Sequence, residues 1–182
     1  MNYERINQAI EYASEMHHDL RYKYNDNKFQ VAHIFFVGAI LMKHGFDDDV
    51  IIAGFLHDAI EDTDVTKEDI EKRFGKRVAD FVEAETVDQT IEWKKRQYLM
   101  QDNVRNASLE VKAIKTADQL HQLNLFTDDS HLASQNNYIN QKGAKKAYWK
   151  YEQLLEAIGT GWSHPILDDA YVLLKKMKKK YL

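Results

Sequence analysis

Leu56-His57-Asp58-Ala59-Ile60-Glu61-Asp62-Thr63 sets a metal-ligand pair and an acidic pair one helical turn apart. Read as a helix, the stretch stacks Glu61 over His57 and Asp62 over Asp58, because residues four apart share a face. The run that leads into it, Asp49-Val50-Ile51-Ile52-Ala53-Gly54-Phe55-Leu56, is almost entirely apolar, so this helix is expected to be mostly buried. Carboxylates in such surroundings are costly unless they are paired or bound to a cation. A metal ion is the simplest explanation.

Outward from the motif the pattern stays helical. Ile6, Ala9, Ile10, Ala13 and Met16 fit one helical stripe, and the polar, aromatic stretch from His18 to Lys28 interrupts it and reads as a loop. A second helix is predicted from Val31 to His44, ending at Gly45, and Asp47-Asp48-Asp49 gives a negatively charged N-terminus to the helix that carries the motif. Thr66-Lys67-Glu68-Asp69 resembles a capping box for a short helix that stops at Gly75. Further helices are predicted over 78–84, 91–104, 109–125, 137–158 and 166–180, with Gly159-Thr160-Gly161 and His164-Pro165 punctuating the last connection. Phe126 to Gln135 is the longest unpatterned piece and is a candidate loop beside a site.

Composition agrees with an all-α class. The 182 residues hold one proline and 7 glycines, are rich in Lys, Glu, Ala, Leu and Ile, and show no alternating apolar runs joined by hairpin turns. The length fits one domain over 1–182. Without cysteine there is neither a disulfide scaffold nor a thiolate metal site, which leaves His and carboxylate ligands. The polar start Met1-Asn2-Tyr3-Glu4-Arg5 enters an amphipathic pattern directly and no long apolar span follows, so a cytoplasmic protein without a membrane partner is expected. The net charge of -4 gives no global attraction to DNA, so an anionic ligand would need local positive charge. The basic run Lys175-Lys176-Met177-Lys178-Lys179-Lys180 reads as the solvated end of a helix.

A His-Asp pair alone means little, since His18-Asp19 repeats it. What carries information is that three apolar segments each deliver polar residues: His33, then His57-Asp58, then Asp118 within Val111 to Leu120. Singly, His33 is an ordinary buried histidine, Asp118 an ordinary partner for Lys115 or Lys112, and Glu61 and Asp62 the polar end of a helix. Jointly they make a site of two imidazoles and two carboxylates, which suits Mn²⁺ or another borderline divalent ion and leaves positions open for water and substrate. Such an ion activates water and polarises a phosphoryl oxygen, and Glu61 and Asp62 would orient the water or protonate the departing oxygen. His17, His18, His44, His121, His131 and His164 lack comparable company and read as surface or core histidines.

These motifs resemble the HD-domain superfamily, and within it the (p)ppGpp hydrolase branch, which includes the hydrolase domains of bifunctional stringent-response enzymes and small stand-alone alarmone hydrolases. The resemblance runs from about His17 to Leu123, with a weaker tail near Tyr148. It is carried by Phe55 to Thr63, by Thr66, Ile70, Phe74-Gly75 and Val78, and by Ile114-Lys115-Thr116-Ala117-Asp118-Gln119-Leu120-His121-Gln122-Leu123. The Glu61-Asp62-Thr63 continuation separates this branch from other HD phosphohydrolases. The resemblance implies a helical HD bundle, Mn²⁺ bound by His33, His57, Asp58 and Asp118, and Glu61 and Asp62 positioning the nucleophilic water for removal of a 3′-pyrophosphate. It further implies substrate contacts at Lys23 with neighbouring Arg21, at Gln122 in place of a family Asn, and at Tyr148. Where the family has an Arg-Lys pair this chain has Tyr22-Lys23, and the family's Pro-Tyr and His-Pro are Phe29-Gln30 and His33-Ile34.

The expected activity is therefore Mn²⁺-dependent hydrolysis of a guanosine 3′,5′-bispyrophosphate-like nucleotide. Two alternatives stand beside it: an HD phosphohydrolase of another nucleotide or of a pyrophosphorylated RNA end, and a catalytically weak nucleotide sensor or partner-binding domain.

Overall fold

Asp47 starts the buried helix of the motif: its Oδ1 accepts from the backbone N–H groups of Asp49 (3.0 Å) and Val50 (3.1 Å), and every residue from Val50 to Leu56 is buried. In the computed structural model, which describes residues 1–22, 25–127 and 141–182, this helix is α3 (Asp48–Leu56). Before it come α1 (Tyr3–His17), a hairpin of β1 (Arg21–Tyr22) and β2 (Asn25–Phe29), and α2 (Gln30–Lys43). After it come α4 (Ala59–Asp62), α5 (Lys67–Phe74), α6 (Lys76–Glu85), α7 (Trp93–Arg105), α8 (Leu109–Thr127), α9 (Gln141–Ile158) and α10 (Pro165–Tyr181). The all-α expectation holds, and no helix among the described residues is long and apolar enough to cross a membrane.

The local signals behave as their chemistry requires. Thr66 and Asp69 exchange the two bonds of a capping box, and Gly75, at φ 93°, makes the joint between α5 and α6 that a side chain would strain. Pro165 occupies the first turn of α10 behind His164, whose Nδ1 accepts from Ile166 N–H at 3.2 Å.

Two expectations are corrected. The stretch read as a loop contains the β1–β2 hairpin, antiparallel with an irregular register, and Gln30 N–H then bonds Leu20 O at 2.9 Å as the chain enters α2. The motif helix is not continuous: it is interrupted at His57-Asp58, between α3 and the single turn α4. There the His57 ring donates from Nδ1 to Gly54 O at 2.9 Å, taking the carbonyl that Asp58 N–H would use in an unbroken helix.

α3 and α8 are buried on nearly all sides and form the centre, with the amphipathic helices around them. α2 crosses α3 unusually closely. A Cβ on Gly38 would stand 2.3 Å from the Phe55 ring, and one on Gly54 2.3 Å from Leu41 Cδ1, so only glycines allow this approach. That crossing sets His33, on α2, against His57 at the end of α3. α8 reaches from one apolar cluster, around Ile34, Ile51 and Ile114, into a second, around Leu123, Leu155 and Ile166's neighbour Leu167, with Leu120 and Trp162 packed against both. Lys112 ties α8 to the turn after α9 by donating to Thr160 O at 2.6 Å.

Candidate metal centre and catalytic cavity

His33, His57 and Asp58 present ligand atoms that all lie within 4.8 Å of one another. The two Nε2 atoms are 3.2 Å apart, His57 Nε2 is 3.2 Å from Asp58 Oδ1, and His33 Nε2 is 3.6 Å from Asp58 Oδ2. Asp118 arrives from α8 with Oδ1 3.3 Å from His33 Nε2. The interruption at His57-Asp58 is what turns these adjacent residues to one point.

The ring orientations suit metal binding. His57 Nδ1–H is committed to Gly54 O, which directs Nε2, as the bare nitrogen of the neutral ring, at the cluster. His33 Nδ1 lies 2.6 Å from His121 Nδ1, so a proton between them leaves His33 Nε2 for the same point. Phe36 stacks on His121, with ring centroids 4.8 Å apart, and steadies it. Ligands about 2.1 Å from an octahedral ion stand roughly 3 Å from each other, which is the spacing of this nitrogen and oxygen set. The donor set therefore fits a divalent cation.

Amides hold the carboxylates. Gln30, buried at the start of α2, donates Nε2 to Asp58 Oδ2 (2.8 Å) and to Asp62 Oδ2 (3.2 Å), so the two acids stay on one side despite the broken helix. Asp118 accepts from Gln119 Nε2 at 2.7 Å and from Gln122 Nε2 at 2.6 Å. Burial works to raise the Asp118 pKa, but the hydrogen bond and charge of His33, with His57 and Lys115, overcome it and hold the carboxyl well below the usual carboxylate range. For His57 burial disfavours the charged ring, and Asp58 and Asp118 outweigh it, leaving its pKa raised.

Gln30, His33, Asp58, Glu61, Asp118 and Gln119 line a cavity of about 170 Å³, whereas His57 and Asp62 do not. The same cavity is lined by Arg96 on α7, Lys115 on α8 and Lys150 on α9, the local positive charge that the net charge does not supply. Lys115 is paired with Glu85 Oε2 at 2.5 Å, both side chains being buried. Burial penalises the Lys115 charge, yet Glu85 and Asp118 keep its pKa above the ordinary lysine value.

Of the substrate contacts the resemblance implied, Gln122 lines this cavity, while Lys23 lies outside the described residues. Arg21 is exposed on β1 and does not line the cavity. Tyr148 donates to Glu152 Oε1 at 2.8 Å, beneath Lys178, and does not line it either; the residue two further on, Lys150, does. His121, read as an ordinary histidine, stands behind His33, and His17 is fully buried with Nδ1 on Ala13 O at 2.9 Å. The sequence reading missed Gln30, Glu85, Arg96 and Lys150. Lys115 entered only through the ordinary reading of Asp118, as one of two lysines that could pair with it, and its contact is with Glu85.

A family model described as HD domain matches residues 9–145. Over 118 residues the chain is 36% identical to the guanosine-3′,5′-bis(diphosphate) 3′-pyrophosphohydrolase MESH1 of Drosophila melanogaster, covering 64% of this chain and 66% of that one. Over 94 residues it is 40% identical to a guanosine-3′,5′-bis(diphosphate) 3′-pyrophosphohydrolase of Aquifex aeolicus, covering 52% of this chain but only 13% of that longer protein. The chain thus spans about two thirds of the metazoan relative and a small part of the bacterial one. Among solved structures, a metazoan ortholog of SpoT that hydrolyzes ppGpp superposes with a TM-score of 0.80 at 26% identity, covering 97% of this chain and 94% of that one. The Listeria monocytogenes protein lmo0812 superposes with a TM-score of 0.70 at 32% identity, covering 80% and 94%.

Proposed function

The chain belongs to the HD domain family, and on that premise we propose that it is a metal-dependent phosphohydrolase that removes the 3′-pyrophosphate from guanosine 3′,5′-bispyrophosphate or a nucleotide like it. One observation carries the reading: His33, His57, Asp58 and Asp118 converge, and His33, Asp58 and Asp118 line a cavity that Arg96, Lys115 and Lys150 line as well. The first set suits a cation and the second suits phosphates. The relatives named for this activity support the choice of substrate.

His33, His57, Asp58 and Asp118 would hold the metal, which we take to be Mn²⁺ from the mixed nitrogen and oxygen donors. When bound, such an ion lowers the pKa of water and polarises a phosphoryl oxygen. Glu61, facing the cavity, accepts the proton of the attacking water. Asp62, fixed by the Gln30 amide it shares with Asp58, would help to orient that water. Gln30, Gln119 and Gln122 keep the carboxylates in place while charge moves. Arg96, Lys115 and Lys150 draw the anionic substrate in, and Gln122 lies where it meets the nucleotide. We read the chain as one cytoplasmic domain over 1–182 whose partner is a small phosphorylated nucleotide. The test is to quantify pyrophosphate against phosphate released from guanosine 3′,5′-bispyrophosphate and a nucleotide panel with Mn²⁺. Release of pyrophosphate is expected, and none from any guanosine nucleotide overturns the reading.

A further inference from the structure

The two histidines of the metal group are not prepared in the same way. His57 Nδ1 faces Gly54 O at 2.9 Å, and a carbonyl only accepts, so the hydrogen of the neutral ring stays on Nδ1 and Nε2 is bare. His33 Nδ1 faces another imidazole nitrogen, His121 Nδ1, at 2.6 Å. A neutral imidazole donates from one nitrogen and accepts at the other, so this bond can run in either direction. Both rings are buried, with 4% of His33 and 7% of His121 exposed. Phe36 lies flat on His121, its ring tilted by only 20°, and keeps the two Nδ1 atoms facing each other.

The direction decides whether His33 can be a ligand. With His121 as donor, the His33 hydrogen sits on Nε2, in reach of two acceptors, the bare His57 Nε2 at 3.2 Å and Asp118 Oδ1 at 3.3 Å. That arrangement satisfies the side chains among themselves and closes Nε2 to a metal. With His33 as donor, its Nε2 is bare too, and two bare nitrogens 3.2 Å apart repel unless a cation lies between them. This second arrangement suits a metal, and it needs His121 to accept. A side chain there that could not accept would leave the His33 Nδ1–H buried without a partner, which is costly.

We propose that His121 is a positioning residue for the metal: by accepting from His33 Nδ1 it turns His33 from a hydrogen-bond donor into a ligand. In that change the hydrogen between the two Nδ1 atoms passes from His121 to His33. His33 gives its Nε2 hydrogen to water, and His121 Nε2 takes one up from water. Each ring carries one hydrogen before and after, so the pair opens a ligand position with no net loss of protons. His121 does not line the cavity and acts through His33 alone. His57 is thus a ligand set in advance, and His33 one made available by its neighbour. The inference rests on the metal centre of the phosphohydrolase reading and adds the condition under which that centre fills.

The test is the affinity of the full chain for Mn²⁺, measured calorimetrically for the wild type, His121→Phe and His121→Asn. Phe keeps a ring against Phe36 but cannot accept, whereas Asn brings an amide oxygen to about the place of Nδ1. His121→Phe should weaken Mn²⁺ by about 10- to 100-fold, and His121→Asn should stay within about threefold of the wild type. An unchanged affinity in His121→Phe overturns the inference, as does an Asn variant as weak as the Phe one, which would make the role one of packing. Nitrogen-15 NMR of the wild type loaded with diamagnetic Zn²⁺ gives a second readout, which decides even where His121→Phe does not fold. The hydrogen should be on His33 Nδ1 and coupled across the bond to His121 Nδ1; a hydrogen on His121 Nδ1 overturns the inference. A wild type that binds no Mn²⁺ overturns the metal centre and the inference together, whereas tight binding indifferent to His121→Phe overturns the inference alone.

Discussion

Glu85 with Lys115, and Asp118 with its neighbours, are two buried ionic groups in the walls of one cavity, and they treat their charge differently. The first sets a carboxylate against an ammonium at 2.5 Å and closes the account within the protein. Asp118 is surrounded by one imidazole and two glutamine amides, and no lysine or arginine reaches ion-pair distance among the described residues. The two glutamine amides are neutral donors, which orient the carboxylate but do not cancel it.

Loss of a ligand should break the open group most severely. Asp118→Asn or Asp58→Asn should abolish stoichiometric metal binding and lower pyrophosphate release by about 10³-fold or more, read by metal analysis and initial rates. Metal retained at full occupancy in both variants would mean that these carboxylates are structural. Glu61→Gln comes next: turnover should fall about 10²- to 10⁴-fold with the metal still bound, and unchanged turnover would remove its assignment as the proton acceptor. In the closed pair, breaking one half should act on stability instead. Glu85→Gln leaves the Lys115 ammonium buried without its partner and should cost about 3 kcal/mol in denaturant unfolding. Lys115 has a raised folded pKa, burial being outweighed by Glu85 and Asp118, so its stabilisation is present below its unfolded value of about 10.4 and is lost as the pH rises through the folded value. Glu85→Gln should therefore also move alkaline unfolding to lower pH, and an unmoved midpoint would separate the two residues energetically.

The open group was legible in the sequence and the closed one was not, for a physical reason. His33, His57, Asp58 and Asp118 each interrupt an apolar run, and a polar residue inside a buried segment is visible without a structure. Asp47, Thr66 with Asp69, Gly75 and Pro165 were legible because caps and joints are local chemistry. Arg96 and Lys150 stand in polar helices that look solvated, and only the packing of α7 and α9 against α8 turns them inward. Glu85 and Lys115 are thirty residues apart in the chain, each an ordinary charge on its own helix. The interruption at His57 was hidden as well, because it depends on a side chain taking the Gly54 carbonyl rather than on helix propensity. His121 sits three residues after Asp118 and reads as one more helical position until the α2–α8 contact brings it to His33.

The smallest expected effect is the most discriminating one. Replacing both halves of the closed pair, Glu85→Leu with Lys115→Met, removes two desolvation costs along with one attraction, so stability should return to within about 1 kcal/mol of the wild type. The two single changes would then show a large interaction energy in a double-mutant cycle, as groups in direct contact do. Lys115 also lines the candidate catalytic cavity, so the double variant should fold normally yet bind nucleotide more weakly, and the two measurements should part company. A double variant that stays as unstable as Glu85→Gln alone would show that the pair is tied to something beyond itself. Asp118 is then the group to examine, because its charge already raises the Lys115 pKa, and the boundary between the closed and open groups would disappear.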